Sequence, residues 1–304
     1  MIHLVIPEFI LEKKSTYTDH DRMFKELIKT FFQDFIDAFF PSIHPFIDFS
    51  TVTFLEQEVF TDILKGEKRQ IDILAEVTLQ DEERLILIHI EPQSSYQKEF
   101  HERMFIYCSR LYEKHRKAIL PISIFSYNDV KEVPDQFTIA LPSITIVKFN
   151  YLQLHLIKKN WRNFIYSDNP AASALLSKMG YTEEERVQVR VEFLRMVSRM
   201  ELNPAKLELL YGFFDTYLKL NEEEEKQMRE EVSKLPKEEA DRVFELPNYY
   251  FDKGIEKGIE KGIEKVVYSM FKKDFSDETI ADITDLNMDE IKRLRLRNKF
   301  DKNH

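Results

Sequence analysis

The sequence predicts an α/β fold in which a mixed β-sheet is flanked by helices and followed by an all-helical C-terminal region. Two short runs of Ile, Leu and Val flank the polar segment LQDEER within residues 70–93, which is typical of a β-hairpin. Apolar residues recur at helical spacing before this segment, in residues 19–40, and after it, in residues 96–117. From residue 153 onward the pattern is helical. The predicted core therefore has the order helix, three strands, helix, strands.

The remaining elements are predicted from apolar patterns and from residues that begin or end helices. Further strands are expected at 51–63, 120–127 and 144–152, with a loop that contains Pro134 between the last two. Helix boundaries are expected at Pro41, Gly180, Thr182, Pro204, Asn221, Ser276 and Asn287. The predicted organisation is a core at 1–152, a helical subdomain at 153–250, the KGIE repeat at 251–265 and a small helical tail at 266–304.

Composition limits the classes of protein to which the chain can belong. At 304 residues and 43% hydrophobic content it can bury a substantial core. No stretch approaches the roughly 18 apolar residues of a membrane span, and the N-terminus lacks the pattern of an export signal, so no membrane association is expected. The single cysteine, Cys108, excludes an intrachain disulfide and indicates a cytoplasmic protein. We expect Cys108 to be a packing residue rather than a nucleophile.

The net charge of the chain is opposite to the usual signature of a nucleic-acid-binding protein. It is −10, with a pI near 5.5. Acidic segments such as residues 221–231 concentrate this charge away from the hairpin in the sequence. The charge therefore counts against DNA binding for the chain as a whole, but it leaves room for a local basic groove.

The hairpin has one register that keeps its acidic residues out of the core. If the turn is centred between Asp81 and Glu82, Asp72 lies opposite Glu91, and directly opposed residues share a face. One face then carries Asp72, Leu74, Glu76, Leu85, Leu87, His89, Glu91 and Gln93. The other face is apolar and carries Ile71, Ile73, Ala75, Val77, Ile86, Ile88, Ile90 and Pro92. A shift by one residue would bury the acids, so the pattern itself favours this register.

Two carboxylates at opposed positions repel each other unless one is protonated or a cation lies between them. Mg²⁺ is the expected cation, because it binds a few carboxylates and keeps water molecules that a phosphate can replace. The spacing Asp-x18-Glu-x-Gln is weak evidence by itself, and a solvated polar edge of the hairpin is the other interpretation.

The residues around this pair resemble a known nuclease superfamily. Asp72 in QIDILAEV, with Glu91 and Gln93 in HIEPQSS, is similar to the motif of the PD-(D/E)XK nucleases. More narrowly, the match is to their Rpn/YhgA-like branch of recombination-promoting nucleases and transposases. The segment HDRMFK, the helical region to about residue 245 and the KGIE repeat share the resemblance. Gln93 stands where the wider superfamily has Lys, although Gln is usual in this branch.

The resemblance implies a PD-(D/E)XK nuclease-like sheet and a Mg²⁺-dependent DNA endonuclease, in which Asp72, Glu91 and Gln93 are catalytic. Asp72 and Glu91 would bind the metal ion, which activates a water molecule for attack on a phosphodiester. Gln93 would orient that water or the phosphate, but it is neutral and cannot supply the charge of a Lys. Replacement of Gln93 by Lys is therefore expected to retain or raise activity. The alternative function is a non-catalytic nuclease-like module that binds DNA or assembles proteins.

Two further residues are candidates for the site. Asp21 lies on the apolar stripe of the first predicted helix, and it either points toward the hairpin acids or caps that helix. Arg103 lies near the expected site end of the helix at 96–117, where a guanidinium can bind a DNA phosphate. Simple solvation of an exposed Arg is the alternative. His20 and Lys25 belong to the HDRMFK segment but have no assigned role.

The segment KGIEKGIEKGIEK at 253–265 repeats every four residues, which aligns its Gly and Ile residues in two adjacent columns on a helix. Each Gly costs about 1 kcal/mol relative to Ala, so an isolated KGIE helix should be unstable. Either a second helix, such as the same segment of another subunit, packs on these columns, or the repeat is a flexible linker. The tail that follows resembles a helix-turn-helix with a basic end at 292–297, and both DNA and protein are candidate partners for it.

Light scattering distinguishes a homodimer through residues 253–265 from a linker. The homodimer interpretation predicts a dimeric mass for the full-length protein and a monomeric mass for a chain that ends near Tyr250. The same monomeric mass for both chains would exclude dimerisation through the repeat and leave it as a linker.

Overall fold

The computed structural model describes residues 22–56, 59–61, 68–70, 72–80, 84–128, 131–246, 262–263, 265–273, 275–284 and 286–301. The chain divides into two compact units, Met1–Glu245 and Leu246–His304. Asp21, His20 and most of the KGIE repeat lie outside the described residues. The proposed roles of Asp21 and of the repeat therefore stay predictions.

The first unit is built on a five-stranded mixed sheet with the strand order β1-β4-β5-β6-β9. The strands are β1 (Ile47–Phe54), β2 (Val59–Thr61), β3 (Lys68–Gln70), β4 (Ile73–Leu79), β5 (Arg84–Gln93), β6 (Ala118–Phe125), β7 (Gln136–Leu141), β8 (Ile144–Asn150) and β9 (Leu152–His155). Neighbours are antiparallel from β1 to β5 and parallel from β5 to β9. Two small sheets pair β2 with β3 and β7 with β8. The predicted α/β class with a mixed sheet is confirmed.

Strands β4 and β5 form the predicted hairpin in the predicted register. Ile73 pairs with Ile90 and Val77 pairs with Ile86, which is the alignment that a turn centred between Asp81 and Glu82 requires. The residues of the apolar face that are described are all buried, and they are Ile73, Ala75, Val77, Ile86, Ile88, Ile90 and Pro92. The opposite face is buried as well, with Leu74, Leu87, His89, Glu91 and Gln93, so the observed register differs from a shifted one in the partners that the polar residues obtain.

The strand predicted at 51–63 differs from the observed structure at both ends. β1 begins earlier, at Ile47, because this fully buried residue pairs with Leu79 of β4. It ends at Phe54, and β2 is a separate strand that pairs with β3. The register of β1 also shifts between Asp48 and Thr53, which is a β-bulge that an alternating pattern does not predict.

The prediction of one loop around Pro134 followed by one strand at 144–152 is also wrong in detail. The loop region contains β7, in which Phe137, Ile139 and Leu141 stand at alternate positions, a period-two pattern that indicates a strand and was missed. The strand at 144–152 is divided at Tyr151, because β8 pairs with β7 whereas β9 pairs with β6. The main sheet therefore continues to His155.

The helices of the first unit are α1 (22–30), α2 (Phe32–Phe39), α3 (Phe100–His115), α4 (Pro170–Leu175), α5 (Arg186–Ser198), α6 (Pro204–Tyr217), α7 (Glu222–Ser233) and α8 (Lys237–Glu245). The predicted first helix is interrupted at Phe31, whose φ of −121° and ψ of 43° are not helical. Thr182 and Asn221 form the predicted caps, each as part of a capping box, and Pro204 is in the first turn of α6. No helix among the described residues is long and apolar enough to cross a membrane.

The helical region after the sheet packs on the first two helices. Phe24 of α1 meets Phe213 of α6 edge to face, with ring centroids 4.9 Å apart. The side-chain amide of Asn169 donates to the backbone oxygen of Asp34 in α2 at 2.8 Å, and the same side chain caps α4. These contacts hold α1 in place, and α1 carries a residue of the candidate site described below.

The described residues of the second unit form three short helices, which agrees with the helical tail that the sequence predicts. They are α9 (265–272), α10 (Asp277–Thr284) and α11 (Met288–Asp301), with Ser276 and Asn287 at the predicted cap positions. Their core consists of Val267, Met270, Phe271, Ile280 and Ile291. Arg295 in the basic end of α11 donates to Asp277 of α10 from Nε at 3.0 Å and lies 4.2 Å from the ring centroid of Phe271. At least this basic residue therefore stabilises the unit itself.

Gly180 lies at a close approach of two backbone segments. Its N–H donates to the carbonyl oxygen of Lys159 at 3.0 Å, and a Cβ at Gly180 would clash with the carbonyl oxygen of Ile157. We therefore expect Gly180→Ala to lower the free energy of unfolding, measured by urea denaturation, by about 1–3 kcal/mol.

Gly212 in α6 is the matched control for this substitution. The atom nearest to a Cβ at Gly212 would be Cε of Met23, at 4.0 Å. Gly212→Ala should therefore stabilise the protein by up to about 1 kcal/mol through helix propensity. Equal effects of the two substitutions would contradict the assignment of Gly180 as a close-approach glycine.

Candidate active site

The end of the hairpin brings the predicted acidic residues to one place. The β4–β5 ladder runs to the pair Ile73–Ile90, and Asp72 immediately precedes β4, so the register places it across from Glu91. Glu91 and Gln93 are only 4% and 3% exposed. The interpretation of this face as a solvated polar edge is therefore wrong for both residues.

Helix α3 buries the polar face of the hairpin. Tyr107 and Leu111 of α3 pack on Leu74 and Leu87 of the hairpin, which lie on the same face as Glu91. These α3 residues belong to the apolar stripe that the sequence predicts. The side chains of Glu91 and Gln93 consequently end between the sheet and α3, where a charge is stable only with a partner.

Arg103 of α3 is the partner of both residues. Its Nη2 donates to Gln93 Oε1 at 2.5 Å and lies 3.3 Å from Glu91 Oε1, while Nη1 donates to Gln97 Oε1 at 2.5 Å. The guanidinium also lies 4.7 Å from the ring centroid of Phe100. The structure thus brings Arg103 to the predicted site, with Nη1 and Nη2 directed at protein oxygens and the buried Nε without a hydrogen-bond partner.

Lys25 pairs with the other acid of the site. Its Nζ lies 2.6 Å from Asp72 Oδ1, and both side chains are about one-fifth exposed. Lys25 is in α1, within the HDRMFK segment, but the sequence alone did not assign it to the site. The sequence did contain an indication that Lys25 belongs to the site, because Lys25 lies one helical turn after Asp21, which was a candidate for the same site.

His89 contacts the second oxygen of Glu91. Its Nε2 lies 3.3 Å from Glu91 Oε2, and its ring meets that of Tyr107 edge to face at a centroid distance of 5.8 Å. His89 is fully buried, and its Nδ1 has no hydrogen-bond partner. Because an ionised carboxylate only accepts hydrogen bonds, Nε2 is the donor in this contact. Both oxygens of Glu91 are therefore held, one by His89 and one by Arg103.

These contacts change the expected electrostatics of the site. The sequence predicts two carboxylates that repel each other, and by that reasoning their removal should not destabilise the fold. In the structure Asp72 is paired with Lys25, and Glu91 with Arg103. Removal of Glu91 would leave the part-buried Arg103 guanidinium without the negative charge beside it, so the free energy of unfolding should fall.

The contact between Arg103 and Gln93 also revises the expectation for Gln93→Lys. Gln93 accepts a hydrogen bond from Arg103 Nη2 and donates from Nε2 to the backbone oxygen of Ser95 at 2.8 Å. A Lys cannot accept a hydrogen bond, and its ammonium group would face the guanidinium. This substitution alone is therefore expected to disturb the site rather than improve it.

Two other kinds of reactive group were considered near the site, a cluster of metal-binding side chains and the thiol of Cys108. Within the part of the chain that the structure describes, no group of three or more His, Cys, Asp and Glu side chains is arranged to hold a metal ion. Burial raises the pKa of the Cys108 thiol in α3 to about 11, so this thiol is protonated at neutral pH. Cys108 is therefore a packing residue, as the sequence predicts.

A double-mutant cycle tests the buried pair. Arg103→Met leaves the Glu91 carboxylate buried with His89 as its remaining partner, and we expect the free energy of unfolding to fall by about 3–5 kcal/mol. Glu91→Gln should cost less, because an amide oxygen can still accept a hydrogen bond from Arg103. The double variant should be more stable than the sum of the two losses predicts, by about 1 kcal/mol or more in urea denaturation. Strict additivity would show that the two side chains do not interact.

A protein-family model matches the part of the chain that contains this site. Residues 18–137 match the model of the family described as putative transposase, YhgA-like. The matched segment contains α1, the β4–β5 hairpin and α3, and therefore every residue of the candidate site. No curated protein and no solved structure matches the chain. The matched family is the one that the motifs of the chain resemble, and the similarity covers residues 18–137.

Proposed function

We propose that the protein is a Mg²⁺-dependent DNA endonuclease that acts in recombination or with mobile elements. The family match supports a nuclease or mobile-element role in general terms. The observation that carries the proposal is the position of Asp72 and Glu91, which are opposed at the end of the hairpin beside Gln93, Lys25 and Arg103. This is a set of acidic, amide and cationic groups suited to an anionic phosphodiester.

The donor atoms of the site fit Mg²⁺. Mg²⁺ is bound by one or two carboxylates and keeps several water molecules, and Asp72 and Glu91 offer carboxylate oxygens of this kind. Asp72 is part-exposed and accessible to an ion, whereas Glu91 is buried and would have to exchange part of its contacts with His89 and Arg103 for the metal ion. Bound Mg²⁺ would supply a water molecule of lowered pKa and neutralise charge on the phosphate.

The protein residues have separate roles in this proposal. Asp72 and Glu91 would hold the metal ion, and His89 would keep the Glu91 carboxylate oriented through the contact at Oε2. Gln93 would position the attacking water or the phosphate with its amide group, while Arg103 keeps the Gln93 side chain in place.

Lys25 can supply the positive charge that Gln93 lacks. Its ammonium group is 2.6 Å from Asp72 and is carried by α1 rather than by the hairpin. A fixed cation beside the reacting phosphate stabilises the charge that develops in the transition state. The missing Lys at position 93 is therefore weaker evidence against catalysis than the sequence suggests.

A second candidate function is a nuclease-like module without catalysis, which binds DNA or assembles proteins. The pairing of Asp72 and Glu91 with Lys25 and Arg103 favours it, because the acids are neutralised without a metal ion. A catalytic site with the same residues would have to exchange part of this pairing for metal binding.

Nicking of supercoiled plasmid separates the two functions. We expect Mg²⁺-dependent nicking by the wild-type protein, none with chelator, and a loss of about 100-fold or more in Asp72→Asn and Glu91→Gln, which keep the shape of the side chains but not the charge. Calorimetric titration with Mg²⁺ should show weaker binding by both variants. Nicking at the wild-type rate by either variant would show that the site is misplaced, and no nicking by the wild type would favour the non-catalytic module.

Lys25→Met tests the role of the α1 cation. The rate of nicking should fall by about 100-fold if the ammonium group stabilises the transition state. Lys29→Met is the matched control, because Lys29 lies one turn later in α1 and contacts the ring of Phe54 at 5.6 Å rather than the site. Equal rates for the two variants would remove Lys25 from the mechanism.

A further inference from the structure

The guanidinium of Arg103 is held by contacts of unequal length. Its Nη2 donates to Gln93 Oε1 at 2.5 Å, and Nη1 donates to Gln97 Oε1 at 2.5 Å. The distance from Nη2 to Glu91 Oε1 is 3.3 Å, whereas charge-assisted bonds between Arg and a carboxylate are usually about 2.7–2.9 Å long. The ion pair with Glu91 is therefore a long contact, although it compensates a buried charge.

Arg103 also has a donor that the protein does not use. Its Nε is buried and has no hydrogen-bond partner. A buried donor without a partner costs free energy, and such groups are rare in folded proteins. The guanidinium in this position therefore keeps hydrogen-bonding capacity for a further acceptor.

One side of the guanidinium reaches the protein surface. The side chain of Arg103 is 17% exposed, against 5% for that of Glu91. Gln97, which accepts from Nη1, is an exposed residue of the segment 94–99 between β5 and α3. By contrast, Oε2 of Glu91 faces the fully buried His89. A cation or a phosphate from the solvent therefore meets Arg103 and Oε1 of Glu91 before it meets Oε2.

A metal ion and Arg103 compete for the same oxygen of Glu91. His89 holds Oε2 from the interior, so Oε1 is the oxygen that remains for a cation from the solvent side. A divalent ion at this oxygen supplies the positive charge that now comes from the guanidinium. Two cations beside one oxygen repel each other, so binding of the ion weakens the contact between Glu91 and Arg103.

A phosphate is a suitable new partner for the released guanidinium. It accepts hydrogen bonds from two guanidinium nitrogens at once, and these charge-assisted bonds are about twice as strong as neutral ones. Nη1 and Nη2 are both available for them, because each nitrogen has two N–H groups. One N–H of Nη2 can stay on Gln93 while the other passes from Glu91 to the phosphate.

We propose that Arg103 is an exchange residue that couples metal binding to DNA binding. Without the metal ion its guanidinium neutralises Glu91. When Asp72 and Glu91 bind a divalent ion, the guanidinium leaves Glu91 and Gln97 and binds a phosphate of the DNA. The metal ion and the DNA then raise the affinity for each other by the same factor. The inference rests on the proposed function, because it takes the two acids as the metal site and DNA as the ligand.

Gln97→Ala tests the release of Arg103 without a change in charge. The substitution removes the acceptor of Nη1 at an exposed residue, so circular dichroism and the melting temperature should be unchanged. Loss of this contact favours the released position, and calorimetric titration should therefore show Mg²⁺ bound about threefold more tightly than by the wild type. If Arg103 only orients Glu91 for the ion, Gln97→Ala should instead bind Mg²⁺ equally or more weakly.

Ser95→Ala is the matched control for Gln97→Ala. Ser95 is exposed in the same segment and contacts Gln93 through its backbone oxygen rather than through its side chain. The Mg²⁺ affinity of this variant should equal that of the wild type.

DNA binding in chelator tests the contact with a phosphate, by fluorescence anisotropy of a short labelled duplex. Glu91→Gln removes the charge that holds the guanidinium, so it should bind the duplex about tenfold more tightly than the wild type. Addition of Arg103→Met to Glu91→Gln should abolish this gain. The slope of log K against log salt should be larger by about one in Glu91→Gln than in the double variant, because one phosphate contact is lost.

Two controls apply to the DNA measurement. The melting temperature shows that the double variant, which lacks both charges of the pair, is folded. Glu99→Gln removes an exposed carboxylate at the start of α3 and controls for the loss of one negative charge. Its salt slope should equal that of the wild type.

Two results would overturn the exchange. One is the same salt slope for Glu91→Gln with and without Arg103→Met. The other is a Mg²⁺ affinity of Gln97→Ala that is equal to or lower than that of the wild type. The expected Mg²⁺ and DNA binding without nicking of plasmid would count against the proposed nuclease and not against the exchange, because neither measurement depends on cleavage.

Discussion

The buried carboxylate of Glu91 is the constraint on which the architecture around the site depends. It lies between the hairpin and α3, where an uncompensated charge would cost several kcal/mol. Compensation comes from Arg103 on one oxygen and from His89 on the other. Tyr107 and Leu111 of α3 pack on the hairpin, and Arg103, one helical turn before Tyr107, then lies within hydrogen-bonding distance of Glu91. Apolar packing and ion pairing therefore require the same position of α3.

The same constraint explains how one end of the sheet can be polar while its remainder is apolar. Residues further along the same face, such as Leu74 and Leu87, are covered by the apolar stripe of α3. At the end of the hairpin the stripe is replaced by Arg103, and α1 contributes Lys25 to Asp72. Two acids and two cations thus form a nearly neutral group. Such a group is stable by itself and still has the oxygen atoms that a divalent cation binds.

The acidic composition of the chain has a structural explanation that is separate from the site. Arginines of α5 pair with acids of the neighbouring helices α6, α7 and α8: Arg186 with Glu224 at 2.8 Å, Arg195 with Glu239 at 2.8 Å, and Arg190 with Asp215. Further acids lie in the first turns of α7 and α8, where a negative charge interacts favourably with the helix dipole. These pairs account for acids of the helical region only, because residues 1–152, with 24 Asp and Glu against 17 Lys and Arg, carry most of the net charge.

The sequence by itself determined the features that depend on local periodicity and local hydrogen bonds. The hairpin register was predicted from the alternation of acidic and apolar residues, and the observed pairing confirms it although both faces are buried. The caps at Thr182, Asn221 and Asn287 followed from side chains that satisfy the first backbone N–H groups of a helix. The stripe of α3 followed from a spacing of three and four residues.

Tertiary structure alone decided which cations the acids acquire and where the chain forms strands without a buried face. Lys25 is 47 residues from Asp72 in the sequence, and no periodic pattern connects them. Strand β7 has an apolar residue at every second position, but most of its residues are exposed, and Phe137 together with Phe149 of β8 packs on Phe105 of α3. Local patterns report which side of an element is buried, whereas the partner of a charged group depends on how separate elements pack. For that reason the acids of the site and the candidate Arg103 were predicted from the sequence, whereas the pairing of Lys25 with Asp72 was not.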